Sequence, residues 1–204
     1  EGGETPQSIV DFSYDVDGSG NDLTVFAATT FFNGINSAID WIMVDYPKAD
    51  PTVVSVADQK AAGRRPYWSH ILGRNVLDAK SEMKSGVEVL TYVKIFEPGA
   101  PDCIREFTRN SDGTVIWVLY ERKDTAVHVD GKPDTYFHEI DRGDVSIGEI
   151  PMVPFYTGRR DGRSWKLFPA MQDAADLQVE LYQQESGLKF AKVLTAYPML
   201  AANG

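Results

Sequence analysis

Mostly apolar side chains return at helical spacing between residues 23 and 38: Leu23, Phe26, Ala27, Thr30, Phe31, Ile35 and Ala38 share one face. That spacing predicts an amphipathic helix, with Asn21 or Asp22 placed to cap its start. Gly34 weakens its last turn. Trp41-Ile42-Met43-Val44 follows as a continuous apolar run closed by Asp45-Tyr46-Pro47, the pattern of a buried strand. Upstream, residues 1–20 are polar and rich in Gly and Asp, which predicts an irregular entry segment with at most one short strand. Residues 48–66 read as a surface connection with a small helix around Ala57–Ala62, ending in Gly63-Arg64-Arg65-Pro66.

From Val76 the period changes to two. Val87, Val89, Thr91, Val93 and Ile95 alternate with Glu88, Leu90, Tyr92, Lys94 and Phe96, and Lys84-Ser85-Gly86 supplies a turn before them. Ile104–Thr108 and Val115–Tyr120 flank Asn110-Ser111-Asp112-Gly113, a second hairpin signal. Asp130-Gly131-Lys132-Pro133 and Arg142-Gly143-Asp144 punctuate two further short strands. Residues 76–156 are therefore expected to form an antiparallel meander. After Gly158-Arg159-Arg160-Asp161-Gly162 the helical period returns. Pro169 suits a first turn, and Ala170, Ala174, Leu177, Leu181, Leu188 and Ala191 share one face, interrupted by Gln184 near Gly187. Pro198 ends the pattern, for a helix of roughly 40 Å at ~1.5 Å per residue. The fold class is α+β, with an N-terminal helix and strand, a central antiparallel β meander and a long C-terminal helix. The corresponding regions are residues 1–75, 76–158 and 159–204.

Charge adds a second layer. The 204 residues carry 20 Lys and Arg against 30 Asp and Glu, a net −10. Residues 1–47 hold eight of the acids and no base, so the rest of the chain is close to neutral. A polybasic nucleic-acid binder or a basic membrane-surface protein does not look like this. The apolar and aromatic content fills a core, which argues against disorder. Cys103 is the single cysteine, so no intrachain disulfide and no thiolate-rich zinc site can form. That suits a reducing cytoplasm. The sequence opens without a basic stretch leading into an apolar one, so no signal peptide is expected, and no apolar run reaches spanning length.

The search for chemistry returns little. Asp15, Asp17, Ser19 and Gly20 sit at the first, third, fifth and sixth positions of a calcium loop, but the twelfth is Phe26 where a bidentate Glu is needed. The segment reads as an acidic turn before a helix. His128 and His138 could face each other across the turn at Asp130, yet no third ligand stands at a telling spacing. Phosphate loops, dinucleotide fingerprints and nucleophile elbows are missing. Cys103 reads as packing, and the carboxylate pairs Asp15/Asp17 and Glu180/Glu185 as solvated faces. No catalytic residue, metal site or cofactor is expected. Two basic clusters stand out in loops bounded by Gly: Arg64-Arg65, and Arg159-Arg160 with Arg163. Arginines so placed could contact phosphates or a partner's carboxylates, or lie as ordinary surface residues.

Several of these segments, in this order, carry a resemblance. Gly34 followed by Trp41-Ile42-Met43-Val44-Asp45-Tyr46-Pro47, then Arg65-Pro66-Tyr67-Trp68, resemble motifs of the portal-like proteins of tailed bacteriophages, a family first described as a domain of unknown function. Asn75-Val76-Leu77 with Gly86–Leu90 and Val93–Glu97 is similar to its hairpin, and Gly148-Glu149-Ile150-Pro151-Met152-Val153-Pro154-Phe155-Tyr156 to a following strand motif. Asp173–Leu177, Tyr182–Ser186 and Tyr197-Pro198-Met199-Leu200 resemble its helix. The chain departs from the family at Leu167-Phe168-Pro169 and at Gln178, which bear on helix entry and packing. Members of the family are longer on both sides, so the chain looks like the middle of a portal.

The resemblance implies a structural protein and not an enzyme. Portals form rings at one capsid vertex, through which the terminase motor pumps double-stranded DNA and from which it leaves toward the tail. It implies a wing, clip and stem arrangement, with the meander in wing and clip and the helix from 169 as a stem leading to a tunnel loop. It implies partners in other copies of the chain, terminase, capsid and head-completion proteins, with no membrane. The place is the virion, assembled in the host cytoplasm from a phage or prophage. Lys189 and Lys192 become candidates for basic rings lining the DNA channel. Two alternatives stay open: a monomeric protein-binding module of a virion or prophage, and a small metal-dependent hydrolase using His128, His138 and Asp130.

Overall fold

The computed structural model describes residues 5–47, 65–124 and 135–196. Within them the chain is mixed α+β, with N-terminal helices, antiparallel sheets and a C-terminal helix. The entry segment holds a helix, α1 (Gln7–Ser13), where an irregular stretch or short strand was expected. Seven residues are too few to hold a helix by themselves. The support is tertiary: Phe12 meets Trp68 edge-on at 5.1 Å, and the Arg65 guanidinium lies over the same ring.

The next helix, α2 (Leu23–Ser37), is capped as the sequence predicts, the Asp22 carboxylate accepting from the Val25 N–H at 2.8 Å. Its buried stripe is Phe26, Thr30 and Gly34, while Leu23 and Phe31, expected on that face, are exposed. Gly34 does more than weaken the last turn. A Cβ there would lie 2.8 Å from the Thr157 methyl, and the Thr157 hydroxyl donates to the Gly34 carbonyl. Glycine lets helix and sheet meet closely.

Strand β1 (Ile39–Asp45) is the centre of a three-stranded antiparallel sheet, between β2 (Tyr67–Ile71) and β8 (Met152–Tyr156). Trp41 lies opposite Ile71 on one side and Pro154 on the other. Strands β3 (Val76–Lys84), β4 (Val87–Glu97), β5 (Cys103–Arg109), β6 (Val115–Asp124) and β7 (Thr135–Val145) form the meander in sequence order. The meander therefore ends at Val145. Met152–Tyr156, expected to continue it, leaves to pair with β1 instead, because its apolar residues complete the cover of that strand. Ser85 and Gly86, both at positive φ, make the first hairpin turn.

The core lies between the two sheets. Ile39, Trp41 and Met43 of β1 pack with Val93 and Ile95 of β4, Phe107 of β5 and Val115 of β6. α2 covers the other side of β1. A two-residue ribbon, β9 (Arg159–Arg160) with β10 (Leu167–Phe168), then leads to α3 (Gln172–Ala196), a helix of 25 residues. From Gln172 to Thr195 every residue of α3 is exposed. The turn at Asp130 and the stop at Pro198 lie outside the described residues.

Candidate functional site

Among the described residues the most deeply placed carboxylate belongs to Asp40, 1% exposed at the start of β1. A buried carboxylate needs donors, and it has them. Oδ1 accepts from the Gly73 N–H at 2.7 Å and the Ser37 hydroxyl at 3.0 Å, and Oδ2 lies 2.6 Å from His70 Nε2. The Gly73 approach requires glycine, since a Cβ there would sit 2.1 Å from the Ile39 carbonyl oxygen. Ser37, Asp40 and His70 thus share a site, but their order is not that of a nucleophile relay. In a relay the hydroxyl meets the imidazole and the carboxylate orients it. Here the hydroxyl is turned to the Ile39 carbonyl at 2.8 Å and the Asp40 carboxylate at 3.0 Å, not to the imidazole, so His70 does not activate it. The cluster joins the end of α2, β1, β2 and the 3-10 turn Gly73–Asn75. Sequence reasoning weighed His128 and His138 and passed over this pair. The available signal was a carboxylate inside an apolar run, which demands a partner without naming it.

The predicted arginines fall in separate places. Arg64 lies outside the described residues, as do His128 and Asp130. Arg65 pairs with the Asp15 carboxylate at 2.7 Å and donates to the Asp15 carbonyl. It therefore supplies a positive charge to the loop whose spacing resembled a calcium site. In that loop the Ser19 and Gly20 N–H groups point back at Asp17 and Asp15, and the Asn21 amide at Asp17 holds its carboxyl below the ordinary value. No group of three or more metal-ligating side chains occurs among the described residues.

Arg160 is saturated. It takes the Glu88 carboxylate in two bonds of 2.8 Å, donates to the Ser164 and Arg163 carbonyls, and stacks on Trp165 at 4.3 Å. Bidentate pairing of this kind is strong, and with a bond from Ser81 it brings the Glu88 carboxyl down to about 2. Arg159 lies over Phe168 at 5.0 Å. Of Arg163 it is the backbone carbonyl that is engaged. His138 faces Glu121, with Nδ1 3.0 Å from its carbonyl oxygen.

A groove of about 730 Å³ opens between the sheets, lined by Tyr46, Tyr67, Trp117, Ile147 and Arg105 among others. Arg105 does not make it an anion site. Its charge is met by Glu97 at 2.7 Å and Asp45 at 3.5 Å.

The remaining surface of note is α3. Leu177, Leu181 and Leu188 are 56–65% exposed, and so form the stripe read from sequence, now without cover. At about 100° per residue, Val179, Tyr182, Phe190 and Val193 fall on the opposite side of the helix. These too are exposed, Tyr182 at 72% and Phe190 at 65%. This second stripe was not anticipated. Asp173, Asp176 and Glu180 occupy one flank between the stripes, and Lys189 and Lys192 with Glu185 the other. No helix among the described residues is long and apolar enough to cross a membrane.

Comparison of the chain with protein-family models and with curated proteins finds no match.

Proposed function

We propose that this chain is a structural element of a phage portal, a ring of identical subunits that passes DNA at the capsid vertex during packaging and ejection. The sequence motifs noted above resemble those of that family, and one structural observation carries the reading: α3 is apolar on two opposite sides and covered on neither. A globular surface helix has one apolar stripe. A helix with two is built to lie between neighbours, and in a ring each subunit has one on either side. Burial also answers a stability problem. A lone helix of this length, with Gly187 in its interior, is marginal in water, because helices draw most of their stability from packing.

If neighbours cover both stripes, only the flanks stay wet. One flank then faces the channel, and Lys189 with Lys192 is the candidate, repeated once per subunit. The net acidic chain keeps DNA sliding and not sticking. Arg64, Arg159 and Arg163 remain candidates for terminase, capsid or head-completion contacts. The reaction is assembly and conduction, with no catalytic role.

The test is native mass spectrometry and negative-stain microscopy of the protein expressed from its complete gene. Closed rings are expected. A monomer at every concentration overturns the proposal.

A further inference from the structure

α2 is the second unusual helix. From Leu23 to Ile39 the chain holds no charged side chain, a gap bounded by Asp22 and Asp40 in a chain of net −10. Its inner stripe is buried against the sheet. Val25, Ala28 and Phe32 fall on the other side, at about 100° per residue, with Phe31 beside them. Phe32 is 75% exposed, Phe31 50% and Val25 49%. At ~150–250 Å² per aromatic side chain, the two phenylalanines alone leave roughly 250 Å² of apolar surface in water. That is about a third of what one partner buries in a standard interface, from two residues.

We infer that this face of α2 receives the aromatic stripe of α3, Val179, Tyr182, Phe190 and Val193, from a neighbouring copy of the chain. The inference rests on the ring reading and names the contact that makes it. Charge selects the occupant. Copies of an acidic chain repel wherever their carboxylates meet, so they join where charge is missing. α2 is such a place, and a basic partner would find nothing there to pair with. The aromatic stripe of α3 holds no acid, and the charge nearest to it is Lys189 at the edge beside Tyr182. The spacings also correspond. Val25, Ala28, Phe32 and Ile35 recur at three- and four-residue intervals, and so do Val179, Tyr182, Ser186, Phe190 and Val193. Rows of this kind interlock as ridges and grooves. Because the two faces differ, the contact is heterologous: each copy offers the aromatic stripe of α3 to one neighbour and α2 to the other, and the chain of contacts closes when the rotation allows.

The test is cysteine pairing in a Cys103→Ser background. Phe32→Cys and Tyr182→Cys chains are oxidised alone and mixed. Crosslinked dimer is expected in the mixture, about tenfold or more above either variant alone. Self-crosslinking of Phe32→Cys at the mixed rate, or no crosslink under conditions where the parent assembles, overturns the inference. Phe32→Asp gives a second readout. It is expected to weaken association about tenfold or more while leaving the far-UV spectrum and unfolding midpoint of the monomer unchanged. If Phe32→Asp assembles like the parent, this contact is wrong and the ring reading stands. If the parent is monomeric at all concentrations, both fall.

Discussion

The two-sheet body and α3 solve the same problem in opposite ways. In the body, the strand residues that face between the two sheets find cover within the chain. Trp41 is 2% exposed, Val93 and Ile95 are fully buried, and even the charge of Asp40 is met on all sides. In α3, eight large apolar side chains from Leu177 to Leu194 stay between 54% and 72% exposed. The inter-sheet core is therefore closed within one chain, whereas α3 is complete only in company. Stability and assembly are assigned to different residues, and substitutions should separate them.

The largest loss of stability is expected in the body. Trp41→Ala removes the largest buried side chain and its contact with Trp165 at 5.2 Å, and should lower the unfolding free energy by about 3–5 kcal/mol, read by urea denaturation followed by circular dichroism. A loss below about 1 kcal/mol would mean the inter-sheet core is not the main source of stability. Asp40→Ala comes next, at about 2–3 kcal/mol, because the Gly73 N–H and His70 lose their acceptor together, while the Ser37 hydroxyl keeps the Ile39 carbonyl at 2.8 Å. Asp40→Asn should cost less, since its carbonyl still accepts from Gly73 and Ser37. Equal losses for both variants would show that only the pair with His70 matters.

The same division explains what could be read from sequence. Elements set by neighbours along the chain were legible. The Asp22 cap, the turn at Ser85-Gly86 and the hairpin around Asn110–Gly113 follow from local backbone chemistry. Elements set by distant partners were not. α1 depends on Trp68, and Met152–Tyr156 carries the same pattern whether it continues the meander or joins β1. Asp40 and His70 are joined only by the register of β1 and β2, in which Ile42 faces His70. For α3 the leucine stripe was visible, but a search for one apolar face passes over a second on the other side.

A smaller effect is expected at the base of α3, where Glu88 and Arg160 fasten the β9–β10 loop to the first hairpin. The Glu88 carboxyl is held at about 2 against an ordinary 4.5. The unfolded chain therefore takes up this proton first as the pH falls. The contribution of the pair is whole above about pH 5 and is lost as the pH drops through the range from about 5 to 2. Glu88→Gln should flatten that part of the stability profile and cost under about 1 kcal/mol at neutral pH, since the pair is partly exposed and screened. An unchanged acid limb would remove Glu88 as its source.

Leu181→Asp should have the smallest effect on folding and the sharpest meaning. Leu181 is 58% exposed on the leucine stripe and packs on nothing in the body. A surface change of this kind costs the body within about 0.5 kcal/mol, so its unfolding midpoint should hold. Assembly should not. The new carboxylate meets a neighbour at the centre of an apolar stripe, where a buried charge without a partner is costly. Native mass spectrometry should then return monomer from Leu181→Asp under conditions where the parent forms rings. If the midpoint falls by the amount expected for Asp40→Ala, α3 docks on its own body in solution and the division between the two regions is wrong. If the midpoint holds and rings persist, the leucine stripe faces no neighbour, and the case for cover on both sides of α3 is lost.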